Sequence, residues 1–103
     1  MVHTGFGKKF GSEEYFRRYP AVTEALAELL VEKQIRMLCL DTPSPDYAPY
    51  RIHGMLLKND ILIVENVASI NVLLTIGSFE VTALPLRIRA DSSPGRIIAR
   101  TID

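Results

Sequence analysis

The 103-residue chain holds a single cysteine, Cys39. No intrachain disulfide can form, which excludes a small secreted scaffold stapled by bridges. Cys39 sits inside the apolar run MLCL, where a thiol packs like a small hydrophobe. No apolar run approaches the length of a membrane span. The opening MVHTGFGKKF has no apolar signal core, so a cytoplasmic location is expected. Charge of one sign is also missing: Lys+Arg and Asp+Glu are both 12, for a formal net charge of zero. The basic pairs Lys8-Lys9 and Arg17-Arg18 lie beside Glu13 and Glu14 and read as solvated surface. Binding to nucleic acid or to an anionic membrane normally needs a basic face, so neither is expected.

What is present is ordinary for a globular protein: 48% apolar and 23% charged residues, with no repeat or low-complexity tract. The length suits one domain, 1–103. Ser12-Glu13-Glu14 predicts a short helix start, stopped before Pro20. Thr23 predicts the cap of a second helix, with Val22, Leu26, Leu29, Leu30 and Lys33 on one face. Met37 to Leu40 and Ile61 to Val64 read as strands covered on both faces. Between them DTPSPDYAPY, with three prolines in ten residues, predicts a loop. Arg51 to Leu57 predicts a short helix with Ile52, Met55 and Leu56 inward. Lys58-Asn59-Asp60 reads as a turn, and Ile70 to Leu74 fits no single element. Phe79 to Ala83 and Leu86 to Ile88 read as strand interrupted by Pro85. Ser92 to Gly95 is a turn before a last strand, Ile97 to Ile102. The expected class is α/β, a mixed sheet with helices packed on it.

His53 is one of only two histidines, and Glu65 follows twelve positions later at the end of an apolar run. The helix carries the chain about 6 Å from His53 to Leu57. The strand returns it about 13 Å from Ile61 to Glu65. The two side chains can therefore converge. Imidazole and carboxylate suit zinc or manganese. From spacing alone, a hydrogen-bonded core histidine and a strand-end acid are the commoner reading, and metal ligation the rarer one.

Six stretches in order carry a family likeness: Thr4-Gly5-Phe6; Tyr15-Phe16 with Pro20; Asp41-Thr42-Pro43-Ser44; His53, Leu56-Leu57 and Ile61 to Asn66; Ala83 to Leu86; and Ser93-Pro94 with Arg96. Together they resemble the metal-dependent cyclase-like hydrolases that include bacterial kynurenine formamidase and isatin hydrolase. The likeness runs over almost the whole chain and is to the C-terminal half of that family's swivelling β/β/α fold. It implies metal-dependent hydrolysis of C–N bonds in N-formyl amides or lactams, an arylformamidase-type reaction of tryptophan catabolism. By position it makes His53 and Glu65 metal ligands, with Asp41 and Ser44 in the hydrogen-bonded surroundings. The alternative for Asp41 and Ser44 is a strand-end acid and a loop hydroxyl that satisfy local backbone groups.

The chain also departs from the pattern. The family's HxGTHxDxPxH stretch, which supplies further ligands and a proton-transfer histidine, is absent. His3 precedes the Thr4-Gly5 stretch and does not fall at a ligand position. Ser69 replaces the usual asparagine, and Ala90 and Ser92 replace glycines. A catalytic zinc takes about three protein ligands and an open position for water, so one chain holds an incomplete site with no catalytic base. The expectation is an inactive isolated chain and a homo-oligomer, or pairing with a first-half polypeptide. The other readings are a non-catalytic binding or assembly module, and a subunit that completes its site with another chain.

Overall fold

The computed structural model describes residues 1–102. The chain forms two compact units, Met1–Asn71 and the segment from Val72 onward.

The first unit is organised around a parallel strand pair. Strand β1, Met37–Cys39, lies beside β2, Leu62–Val64, with Met37 opposite Leu62 and Cys39 opposite Val64. Val2 forms a parallel bridge to Leu40, its N–H donating to the Cys39 carbonyl at 2.9 Å. Parallel neighbours need a crossover. Here it is the proline-rich loop followed by helix α2, Arg51–Lys58. Ile52 and Leu56 face inward from α2 as their spacing predicts.

Helix α1, Glu24–Glu32, opens where expected: the Thr23 hydroxyl accepts the Leu26 N–H at 3.1 Å. Its inward face differs from the expected one. Ala27 is fully buried and packs with Val22, Leu30 and Val31 in the core, whereas Leu29 is exposed. A nine-residue helix has room for one stripe, and the small Ala27 side chain lets it approach the core closely. The core joins Ala27, Leu38, Leu40, Ile52, Leu56 and Ile61. Burial of each large aliphatic side chain stabilises by about 1.5–3 kcal/mol.

Strand β2 is not covered on both faces, because Leu62 is exposed. The helix expected after Ser12 is a single 3-10 turn, Glu13–Phe16, with no side-chain cap from Ser12. The Ser12 hydroxyl donates instead to the Lys9 carbonyl at 2.6 Å. Ile70–Leu73 is also a 3-10 turn.

The second unit is a hairpin of β3, Phe79–Pro85, and β4, Gly95–Thr101, antiparallel with Phe79 opposite Thr101 and Pro85 opposite Gly95. Pro85 ends β3, so Leu86 to Ile88 is not strand. A Cβ on Gly95 would stand 3.3 Å from the Leu84 carbonyl oxygen, a closeness that suits glycine. The α/β class holds. The parallel and antiparallel pairs lie in two separate two-stranded sheets.

Candidate functional site

The carboxyl ends of parallel strands are where open α/β folds gather polar groups for ligands. Three segments of the first unit meet there: the loop after β1, the first turn of α2 and the residue after β2. The loop is held by its own hydroxyls. Thr42 donates to the Ser44 carbonyl at 3.0 Å, and Ser44 donates to the Asp46 carbonyl at 2.8 Å. Tyr19 donates to the same carbonyl at 2.7 Å while its ring stacks on Tyr47 at 4.1 Å. Burial, the leading cause, pushes the Tyr19 phenol above its ordinary pKa and keeps it a donor.

These bonds bring the Asp46 carboxylate under α2. The helix needs it, because Tyr50 at the N-cap adopts the left-handed conformation (φ 62°) and offers no capping side chain. Asp46 Oδ2 accepts the Ile52 N–H at 2.7 Å. Asp46 Oδ1 lies 2.6 Å from His53 Nδ1. The other ring nitrogen, Nε2, lies 3.2 Å from Glu65 Oε1. His53 thus stands between two carboxylates, and Tyr50 meets its ring edge-on at 5.5 Å. A cleft of about 510 Å³ is lined by Phe16, Tyr19, Ser44, Tyr50, His53 and Glu65.

Of the four residues singled out in the sequence, His53 and Glu65 come together. Ser44 lines the same cleft, and its hydroxyl bonds the backbone of Asp46. Asp41 works at a different place. Its carboxylate accepts the Thr4 and Gly5 N–H groups at 3.0 and 2.9 Å and the Thr4 hydroxyl at 2.6 Å. Gly5, at φ 81°, supplies the left-handed turn that aims both amides at one carboxylate. Burial raises the Asp41 pKa, but these hydrogen bonds outweigh it and hold the carboxyl below its ordinary value.

Among the described residues, no three His, Cys, Asp or Glu side chains meet as a metal cage. Asp46 and Glu65 lie at opposite ring nitrogens and cannot share one ion. The remaining pair, Nε2 and Oε1, suits half a site. Donors about 2.0–2.2 Å from one tetrahedral zinc stand roughly 3.3–3.6 Å apart, near the observed 3.2 Å.

The family model described as "Putative cyclase" matches residues 1–47. A kynurenine formamidase of Bacillus cereus is 37% identical over 95 residues, 88% of this chain and 44% of the relative. Another, from Polaromonas naphthalenivorans, is 36% identical over 88 residues, 82% of this chain and 39% of the relative. The chain is thus similar to cyclase-like proteins over part of their length. An uncharacterized protein of Methanocaldococcus jannaschii is 34% identical over 101 residues, 96% of this chain and 52% of its own length. A solved structure titled a potential metal-dependent hydrolase with cyclase activity superposes with TM-score 0.63 at 25% identity. It covers 77% of this chain, which covers 40% of it. The chain thus spans about half the length of the curated relatives it matches.

The cyclase-like stretches have a physical connection. Thr4-Gly5 is bound by Asp41, and the Tyr15 hydroxyl donates to Asn66 Oδ1 at 2.8 Å, next to Glu65. Burial first, then the charges of Asp41 and Glu65, raise the Tyr15 pKa, so the phenol keeps the proton it donates. Asp46 is the residue the sequence reading missed. Its one signal was an acid a few positions ahead of a helix whose own N-cap, Tyr50, has no capping side chain.

Proposed function

We propose that this chain carries part of the metal site of an arylformamidase-type hydrolase that cleaves C–N bonds in N-formyl amides or lactams, a reaction of tryptophan catabolism. His53 and Glu65 are two of the donors. The observation that carries the reading is the 3.2 Å approach of His53 Nε2 and Glu65 Oε1 beside an open cleft. Zinc or manganese held there would lower the pKa of bound water and polarise the carbonyl under attack. This chain's own residues orient the imidazole and shape the cleft with Phe16, Tyr19 and Tyr50.

The donor set of one chain is half of what catalysis needs, so the isolated chain binds metal weakly and does not turn over. The missing donors come from a first-half polypeptide bearing the HxGTHxDxPxH stretch, or from a second copy. Exposed Phe16 and Leu62, at 62% and 63%, favour such a partner.

Zinc titration of chelator-treated protein tests the donors. Weak uptake by the wild type, lost in His53→Ala and in Glu65→Ala, is the expected result. An assay on N-formylkynurenine should show no turnover by the chain alone, and turnover once a first-half polypeptide is added. Brisk hydrolysis by the lone chain, or zinc uptake that survives both substitutions, would overturn the reading.

A further inference from the structure

Asp46 is buried at 6% exposure, and both its oxygens are engaged. The Ile52 N–H is a backbone group and can only donate, so Oδ2 is committed to it. Oδ1 belongs to a carboxylate, which offers acceptors alone. His53 Nδ1, at 2.6 Å, must therefore carry a hydrogen. A neutral imidazole has one N–H, which leaves Nε2 with a bare lone pair. That lone pair faces Glu65 Oε1, a second acceptor, at 3.2 Å. Two acceptors in that position repel unless a proton on Nε2 or a cation stands between them.

We propose that Asp46 is a positioning residue that fixes His53 as the Nδ1–H tautomer and so reserves Nε2, beside Glu65, for a divalent cation. This rests on the reading of His53 and Glu65 as cation donors. The rest of the loop serves the same end. The Ser44 hydroxyl accepts the Asp46 N–H at 3.3 Å, and Tyr19 holds the Asp46 carbonyl, so the carboxylate is aimed from its own backbone. Since Tyr50 cannot cap α2, Ile52 always claims one oxygen, and the other is left for the ring.

Asparagine makes a sharp test, because it has one acceptor where aspartate has two. In Asp46→Asn the amide oxygen goes to the Ile52 N–H, which has no other partner. The amide NH2 then faces His53 Nδ1 and can only donate. Nδ1 must become the acceptor, and the hydrogen moves to Nε2, where it blocks a cation and bonds Glu65 instead. A cap lost without a tautomer role would not move that proton.

The readout is the two-bond proton–nitrogen spectrum of the His53 ring in 15N-labelled, metal-free chain. It is taken in alkaline solution, at a pH where the spectrum itself shows a single N–H on the ring. The wild type should show the hydrogen on Nδ1 and a bare Nε2, and Asp46→Asn should show the reverse. Zinc uptake by Asp46→Asn should fall about 10–100-fold. Hydrogen on Nε2 in the wild type overturns the positioning role, and that measurement needs no variant to fold. An unchanged tautomer in a folded Asp46→Asn overturns it too. Zinc uptake that survives His53→Ala removes the donor reading instead and leaves the tautomer result standing, so the two failures are distinct.

Discussion

Asp41 and Asp46 sit five positions apart in one loop and do different work. Asp41 anchors the N-terminal segment through Thr4 and Gly5, while Asp46 caps α2 and turns His53. Asp41 is the residue whose charge most directly ties stability to pH. Its folded pKa lies below the ordinary 3.8. A depressed carboxyl contributes stability that is present above the unfolded value and is lost as pH falls through the folded one. Urea unfolding of the wild type should therefore show stability dropping below about pH 4. Asp41→Asn should begin about 1–3 kcal/mol less stable at neutral pH, since an amide cannot accept all three donors. It should then lose less on acidification. Parallel pH profiles for the two proteins would show that the Asp41 charge is not the cause.

At the scale of elements, the site depends on α2 lying across the parallel strands. His53 and Ile52 are neighbours in its first turn, so the contact that buries the helix also sets the ring. Leu56, one turn further, is fully buried in the core with Leu38, Leu40 and Ile61. Leu56→Ala should cost about 2–5 kcal/mol, the range for a buried leucine whose cavity relaxes only in part. Thermal unfolding followed by circular dichroism would register it as a lower Tm. Leu57, on the same helix but 55% exposed, should tolerate alanine with little change. Equal losses at the two positions would mean that α2 does not pack as described.

For the whole molecule, the second unit is a two-stranded hairpin, and such a sheet is marginal in water by itself. Its strands pair Glu80 with Arg100 across one face, at 2.9 Å, but the unit leaves Leu84 and Ile98 in the strands, and Leu86 and Ile88 in the turn, about half exposed. The first unit exposes Phe10, Phe16 and Leu62. Apolar surface of that kind drives association, so light scattering at micromolar concentration should show a homodimer or larger oligomer. A stable monomer would count against the partner proposals. The class of fold, the Thr23 cap and the buried side of α2 were legible in the chain, because local spacing set them, whereas the spacing of His53 and Glu65 showed only that the two could meet. Leu29, Leu62 and the split into two sheets were not, because which side of a short element is covered depends on neighbours far along the sequence. The order of the residues alone determined which donors exist. Only the tertiary structure decided that Asp46 joins them, because a loop carboxylate finds its partners by where the backbone leaves an uncapped helix and a free ring nitrogen.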